Sequence, residues 1–172
     1  MRTCNRRNQR ADLLKTNPAA LEPIYNAERV LEKAGLDRGL LALVDLRVSQ
    51  INGCAFCLAL HRREAEAAGE GGDRLNALSA WRESPWYSDR ERAALEWAES
   101  LTTIADNHVP DDTYRRVSAV FPAEELMYLT LAVATINSWN RFCIAFRESP
   151  ERADEVFRML WAQRRLQSVS KS

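Results

Sequence analysis

The chain has 172 residues, of which 46% are apolar and 28% are charged, and this composition is typical of one soluble globular domain with a sizeable core. Its 24 basic and 24 acidic residues balance, and the lack of a basic surplus argues against a nucleic-acid partner. No run of about 18 or more apolar residues is present, so we expect no membrane span. No apolar stretch of the signal-peptide kind follows the basic N-terminus, which predicts a cytoplasmic protein.

Helical signals follow one another along nearly the whole chain, whereas strand signals are few. The first predicted helix begins at Pro18 and stops at Gly35, and the next runs from Leu36 to Ile51 before a break at Asn52-Gly53. Later helices are predicted to about Ala68, over roughly 73–83, from Ser88 to about Ala105, from Pro110 to about Val120, from Pro122 to about Arg147, and from Ser149 through Arg164.

These signals predict a single all-α helical bundle over residues 16–166, preceded by a mobile tail over residues 1–15. An internal repeat is a hypothesis within this bundle. A shift of 85 residues aligns 41–52 with 126–137, and two Leu, a Val, an Ile and an Asn coincide. Repeats over 36–68 and 121–153 would explain the match, and so would two amphipathic helices that share their periodicity by chance.

Residues 50–61 carry the most informative pattern of the chain, because they contain Cys54, Cys57 and His61. On an α-helix these three positions lie within about 60° of one another and project from one face. Two thiols about one turn apart can close a disulfide, and an imidazole one turn further on can move the proton that thiol chemistry requires. Both cysteines fall near the first turn of a helix after Gly53, where unpaired amides favour a thiolate.

This pattern predicts a two-electron redox cycle that requires no bound cofactor. A thiolate attacks the distal oxygen of a peroxide and becomes a sulfenic acid. The second cysteine then expels water and forms a disulfide, which a partner dithiol reduces by exchange. The apolar residues around the motif suit a small organic hydroperoxide, although they would also serve an ordinary core: Ile51, Phe56, Leu58 and Leu60.

Residues 49–57, followed by His61, resemble the core motif of the alkylhydroperoxidase D and carboxymuconolactone decarboxylase superfamily. Residues 134–141 resemble a segment of its AhpD-like branch, and the resemblance covers roughly 20–150. It implies an all-α fold that assembles into homo-oligomers, often trimers or hexamers. Decarboxylases of the superfamily generally lack the paired cysteines, so the chain resembles the peroxidase side.

The resemblance also implies residue roles. In redox-active members the second cysteine attacks peroxide and the first resolves it, which assigns these roles to Cys57 and Cys54, and His61 belongs to a proton relay. The family's relay usually includes a Glu twelve residues before the first Cys, where this chain has Ala42. Asp45 lies three residues later on the same side of that helix and is a candidate substitute. The other interpretation of Asp45 is a solvated surface charge.

Other interpretations of these residues stay open. The two thiols could be small buried hydrophobes, or they could join His61 as three zinc ligands, although a structural zinc site requires four. His108 is predicted to lie in a turn without a role, and Cys143 is predicted to be a core residue. The charged run 62–66 is interpreted as a solvated helix face.

The favoured function is therefore a thiol-dependent peroxidase or disulfide reductase, a homo-oligomer whose partners are a hydroperoxide substrate and a dithiol reductant. One alternative is a lactone decarboxylase-type lyase, which would use His61 but would not require both thiols. The other is a non-catalytic oligomeric redox sensor that uses the same dithiol as a switch.

Overall fold

The computed structural model describes residues 9–169 of the protein, and it contains α-helices and short 3-10 turns but no strand in that range. The all-α prediction is confirmed. Within the same range no single helix is long and apolar enough to cross a membrane; only the helices Asp111–Ser118 and Ala123–Phe146 together satisfy that test, as a pair bent by 119°. The helices are α1 Leu13–Thr16, α2 Glu22–Lys33, α3 Arg38–Asn52, α4 Ala55–Ala67, α5 Gly72–Ala77, α6 Asp89–Thr102, α7 Ile104–Asn107, α8 Asp111–Ser118, α9 Ala123–Phe146 and α10 Ala153–Val169.

Observed helix boundaries differ from the predicted ones where side chains compete for backbone groups. The helix predicted from Ser88 to about Ala105 ends at Thr102, and the separate short helix α7 follows. The hydroxyl of Thr103 donates to the carbonyl of Glu99 at 3.0 Å, a bond that offers the backbone an alternative to regular helix. Apolar periodicity alone does not register such a break.

Helix α3 lies at the centre of the bundle and packs against α4, α6 and α9. Its side chains Leu43, Val44 and Val48 have no exposed surface. Burial of each such side chain contributes roughly 1.5–3 kcal/mol relative to an exposed position. The end of α3, and with it the start of α4, is therefore held in place by the core.

The turn between α3 and α4 positions the cysteine motif. Gly53 has a left-handed backbone (φ 69°), a conformation that glycine adopts without the penalty of a Cβ. The amide of Cys54 then donates to the carbonyl of Ser49 at 3.1 Å, which closes the end of α3. Cys54 itself is the N-cap of α4. The predicted break at Asn52-Gly53 is thus confirmed, and Gly53 is the one residue between the end of α3 and Cys54.

A buried amide network ties the end of α3 to α9. The Asn52 side-chain amide donates to the Oδ1 atoms of Asn137 (2.9 Å) and Asn140 (2.8 Å). Asn140, which is fully buried, donates in turn to the hydroxyl of Ser49 at 3.1 Å. Because buried polar groups are costly when unpaired, this network fixes the relative position of the two helices directly behind the motif.

The repeat over 36–68 and 121–153 stays a hypothesis. Asn52 and Asn137, which the 85-residue shift aligns, do contact each other. The helix break at Gly53, however, has no counterpart at Ser138, where α9 continues without interruption.

The body of the protein begins before residue 16. Leu13 is buried, and the amide of Arg10 donates to the carbonyl of Phe146 at 3.0 Å. Of the tail predicted over 1–15, residues 1–8 lie outside the described residues, and residues 9–15 contact the bundle.

Candidate active site

The structure brings the two predicted thiols into contact at the start of α4. The sulfur of Cys54, at the N-cap, accepts a hydrogen bond from the backbone amide of Cys57 at 3.4 Å. The two Sγ atoms are 2.7 Å apart, and both cysteines are reduced. Only 1% of Cys54 and 2% of Cys57 is exposed, so bulk water does not reach the pair freely. The two sulfurs are therefore placed to be joined by a small movement.

A third sulfur completes the cluster. Cys143, on α9, is buried, and its Sγ lies within 4.8 Å of the Sγ atoms of both Cys54 and Cys57. The prediction that Cys143 is a core residue captured its burial but not its contact with the motif. We call these three residues the sulfur cluster. No sequence spacing links Cys143 to the motif, because it lies 86 residues after Cys57.

The negative charge of the sulfur cluster is held on Cys54. Hydrogen bonds from Cys143 and Cys57 lower the pKa of the Cys54 thiol, and they outweigh the opposing effect of burial. A hydrogen bond from Cys143 also favours the Cys57 thiolate, but the hydrogen bond to Cys54, burial and the charge of Cys54 together raise the pKa of Cys57. The pair therefore shares one proton and one negative charge, and the charge lies mainly on Cys54.

His61 lies one turn after Cys57 and is surrounded by carboxylates. Its Nδ1 is 2.7 Å from Glu64 Oε2 and 3.9 Å from Asp45 Oδ2. Burial alone would lower the pKa of His61, but the hydrogen bond with Glu64 and the charge of Asp45 raise it to about 9. The imidazole is thus a cation at neutral pH, and its charge favours the Cys54 thiolate.

Two acidic side chains beside His61 are partly or largely buried. Glu64 contradicts the interpretation of the run 62–66 as a solvated face, because only 13% of its side chain is exposed and Ala65 is fully buried. The side chain of Asp45 is 24% exposed, and its Oδ2 lies 3.9 Å from Nδ1 of His61. The i,i+3 spacing of Glu64 from His61 was the available signal for this contact.

A cavity of about 530 Å³ adjoins the site. Two members of the sulfur cluster, Cys57 and Cys143, line it together with His61, whereas Cys54 does not. Its walls are largely apolar and include Phe56, Leu60, Ile136 and Trp139. Besides His61, its charged lining has six carboxylates and two guanidinium groups: Glu28, Glu32, Asp37, Asp45, Glu64 and Glu148, and Arg38 and Arg152. The cavity is therefore apolar with a surplus of carboxylates, and Cys57 is the member of the motif pair that lines it.

The candidate metal ligands in the structure differ from those that the sequence predicts. Among the described residues, the group with metal-ligand spacing is Cys54, Cys57 and Cys143, and neither His61 nor His108 belongs to it. Three thiols supply one ligand fewer than a structural zinc site requires. The arrangement therefore departs from the predicted set of two thiols and an imidazole.

The sequence profile of the carboxymuconolactone decarboxylase family matches residues 18–100, a range that contains the whole cysteine–histidine motif. An uncharacterized protein of Bacillus subtilis, YdfG, is 38% identical over 138 residues, which are 80% of this chain and 94% of that protein. The chain therefore belongs to the carboxymuconolactone decarboxylase family, within the AhpD-like superfamily that its motif resembles.

Solved structures agree with this assignment. A protein of unknown function from Agrobacterium tumefaciens, whose name links it to the antioxidant defence protein AhpD, superposes with a TM-score of 0.80 at 37% identity, over 83% of this chain and 97% of that one. An uncharacterized peroxidase-related protein from Ralstonia eutropha JMP134 gives a TM-score of 0.71 at 18% identity, over 84% and 76% of the two chains, and supports the fold alone.

Proposed function

We propose that the protein is a thiol-dependent peroxidase that reduces small uncharged organic hydroperoxides and is itself reduced by a dithiol. The observation that carries the proposal is the contact between the Cys54 and Cys57 sulfurs, 2.7 Å apart at a helix N-terminus, with Cys57 facing a cavity. A thiolate supplies the nucleophile, and a second thiol in contact supplies the means to resolve its oxidised form.

In the first step Cys57 attacks the distal oxygen of the hydroperoxide. The two sulfurs, 2.7 Å apart, share one proton, and Cys57 attacks in the minor form in which that proton lies on Cys54. The Cys57 sulfur forms a bond to oxygen as the O–O bond breaks. The leaving alkoxide takes a proton from the His61 imidazolium. The products are the Cys57 sulfenic acid, the Cys54 thiol, a neutral His61 and an alcohol, so atoms and charge balance.

In the second step Cys54 attacks the sulfenic sulfur of Cys57. The S–S bond forms, the S–O bond breaks, and hydroxide leaves with the Cys54 proton as water. A partner dithiol then reduces the disulfide by exchange, which restores the Cys54 thiolate, the Cys57 thiol and the proton on His61. This sequence gives Cys57 and Cys54 the roles that the family resemblance implies.

The acidic cavity supports an uncharged substrate. Glu64 and Asp45 keep His61 protonated, and the remaining carboxylates exceed the two arginines of the lining. A carboxylate-bearing substrate would be repelled by this surplus, whereas an alkyl hydroperoxide is matched by the walls formed by Phe56 and Leu60. The same surplus disfavours the lyase alternative, because a carboxymuconolactone carries a carboxylate.

The decisive assay is steady-state consumption of cumene hydroperoxide with dithiothreitol as electron donor. A peroxidase turns over many times per chain. A redox sensor consumes a single equivalent and stops, and a lyase consumes none; either result would reject the proposal.

We also propose that the chain forms a homo-oligomer, a trimer or a hexamer. The proposal rests on the family resemblance and is supported by apolar side chains of α9 that the isolated chain leaves exposed, among them Met127 and Ile144. Multi-angle light scattering of the purified protein tests it, and a monomer at micromolar concentration would contradict it.

A further inference from the structure

The sulfur cluster contains one thiol more than the proposed cycle uses. Cys143 reaches the motif from α9, and its Sγ lies within 4.8 Å of both other sulfurs. It also lines the cavity beside Cys57, on the side from which a hydroperoxide approaches.

We propose that Cys143 is a second resolving cysteine, so that the oxidised Cys57 can form a disulfide with either Cys54 or Cys143. This inference rests on the proposed peroxidase function, since a hydroperoxide must first convert Cys57 to its sulfenic acid.

The additional step balances without another reagent. The Cys143 sulfur attacks the sulfenic sulfur of Cys57; an S–S bond forms, the S–O bond of Cys57 and the S–H bond of Cys143 break, and hydroxide leaves with that proton as water. The Cys57 sulfur is reduced and the Cys143 sulfur is oxidised. The Sγ atoms of Cys143 and Cys57 already lie within 4.8 Å of each other before oxidation.

The backbone of α9 holds Cys143 at this position. The carbonyl of Cys143 accepts a hydrogen bond from the amide of Glu148 at 2.8 Å, which closes the C-terminal end of the helix. One turn earlier, Asn140 is anchored to α3 through Ser49 and Asn52. Cys143 is thus fixed from both sides, with its sulfur within 4.8 Å of the Cys57 sulfur.

The experiment uses the full chain in a Cys4→Ser background, which leaves only the three thiols of the sulfur cluster. Three proteins in this background are treated with excess cumene hydroperoxide: the protein with the intact sulfur cluster (the wild-type cluster), the Cys54→Ser variant and the Cys54→Ser/Cys143→Ser double variant. Free thiols are counted, and disulfide-linked peptides are identified by mass spectrometry. Circular dichroism establishes that each variant is folded.

We expect the Cys54→Ser protein to lose both remaining thiols and to yield the peptide pair that joins Cys57 to Cys143. Without the charge of Cys54, which raises the pKa of Cys57, the Cys57 thiol ionises by itself and still reacts with the hydroperoxide. The double variant should instead gain oxygen on Cys57, as a sulfenic acid that dimedone traps or as a sulfinic acid. In the wild-type cluster, a detectable fraction of the Cys57–Cys143 pair should accompany the Cys54–Cys57 pair.

The inference is overturned if the Cys54→Ser protein either keeps both thiols or gains oxygen on Cys57 while Cys143 stays reduced. If the wild-type cluster forms the Cys54–Cys57 disulfide in the same experiment, the peroxidase proposal survives that result. If the wild-type cluster does not react with the hydroperoxide, the proposed function fails, and the inference fails with it.

Discussion

The site holds a thiolate at one end and an imidazolium at the other, and each is stabilised by a different means. At the sulfur cluster, thiol and backbone N–H donors hold a thiolate on Cys54. One turn along α4, Glu64 and Asp45 hold a proton on His61; we call these three residues the acid end. The comparison indicates that one helix carries both a thiolate and an imidazolium, and that each is stabilised by its own neighbours: the thiols of the cluster for Cys54 and the carboxylates for His61.

The largest effect is expected at the sulfur cluster. Cys57→Ser should reduce hydroperoxide turnover about a thousandfold or more, because the cavity-facing nucleophile is lost while the fold is retained. Steady-state peroxide consumption measures this loss. Cys4→Ser is the matched control and should turn over at the wild-type rate. Retention of more than a small fraction of activity in Cys57→Ser would show that another group attacks the peroxide.

The acid end should control the pH profile. Glu64→Gln removes the hydrogen-bonded carboxylate and lowers the pKa of His61 from about 9 toward its ordinary value of 6.5. Because the imidazolium donates the proton, the alkaline limb of the rate profile should move to lower pH, with a loss of about tenfold near pH 8.

Glu66→Gln is the control for that change, because Glu66 lies on the same helix, is exposed and pairs with Arg62. It should leave the profile unchanged. Asp45→Asn should produce a smaller shift than Glu64→Gln, since its carboxylate is 3.9 Å from Nδ1 instead of 2.7 Å. Unchanged turnover and thiol pKa in Asp45→Asn would remove Asp45 from the relay.

The two ends should contribute to stability with opposite dependence on pH. The folded-state pKa of His61 is raised, so its stabilisation is complete below about pH 6.5 and is lost as pH rises through about 9. The folded-state pKa of Cys54 is lowered, so its stabilisation is present above the unfolded pKa of about 9 and is lost as pH falls through that lowered pKa.

Between pH 6.5 and 9 the contributions of His61 and Cys54 to the free energy of unfolding change in opposite directions and partly cancel in the wild type. The His61 contribution is therefore measured as the difference in stability between the wild type and a His61 variant. The stability advantage of the wild type over His61→Gln in urea should be about 3 kcal/mol near pH 6 and should decline toward zero near pH 10. An advantage that is constant across this range would mean that His61 is not held as a cation.

The smallest effect concerns the turn that places the sulfur cluster. Gly53→Ala should destabilise the protein by about 1 kcal/mol, because alanine is strained at φ 69° although no atom lies within 4 Å of the added Cβ. Gly72→Ala, at a position with equal space and no left-handed backbone, should lie within about 0.5 kcal/mol of the wild type. Equal effects at the two sites would indicate that the turn is not constrained.

The two ends also differed in how far they could be predicted from the sequence. Cys54, Cys57 and His61 lie on one helix, where a spacing of 100° per residue determines which side chains share a face. Glu64 shares that helix and was still missed, because the neighbouring Arg62 and Arg63 make the run resemble a solvated surface.

Cys143 could not be found from the sequence. Its contact with Cys57 crosses 86 residues and depends on the packing of α4 and α9 against α3, which local patterns do not encode. The apolar periodicity around Cys143 indicated burial, which is correct, but burial does not specify a neighbour. Local chemistry was therefore predictable, whereas the partners that regulate it required the tertiary structure.

The most direct test of the proposed chemistry is a stoichiometric titration of the Cys4→Ser protein with cumene hydroperoxide, followed by mass mapping of the disulfide. The proposed cycle predicts that one equivalent of hydroperoxide consumes two thiols per chain and yields a disulfide that contains Cys57. Three thiols that remain reduced, or a Cys57 that gains oxygen without forming a disulfide, would contradict it.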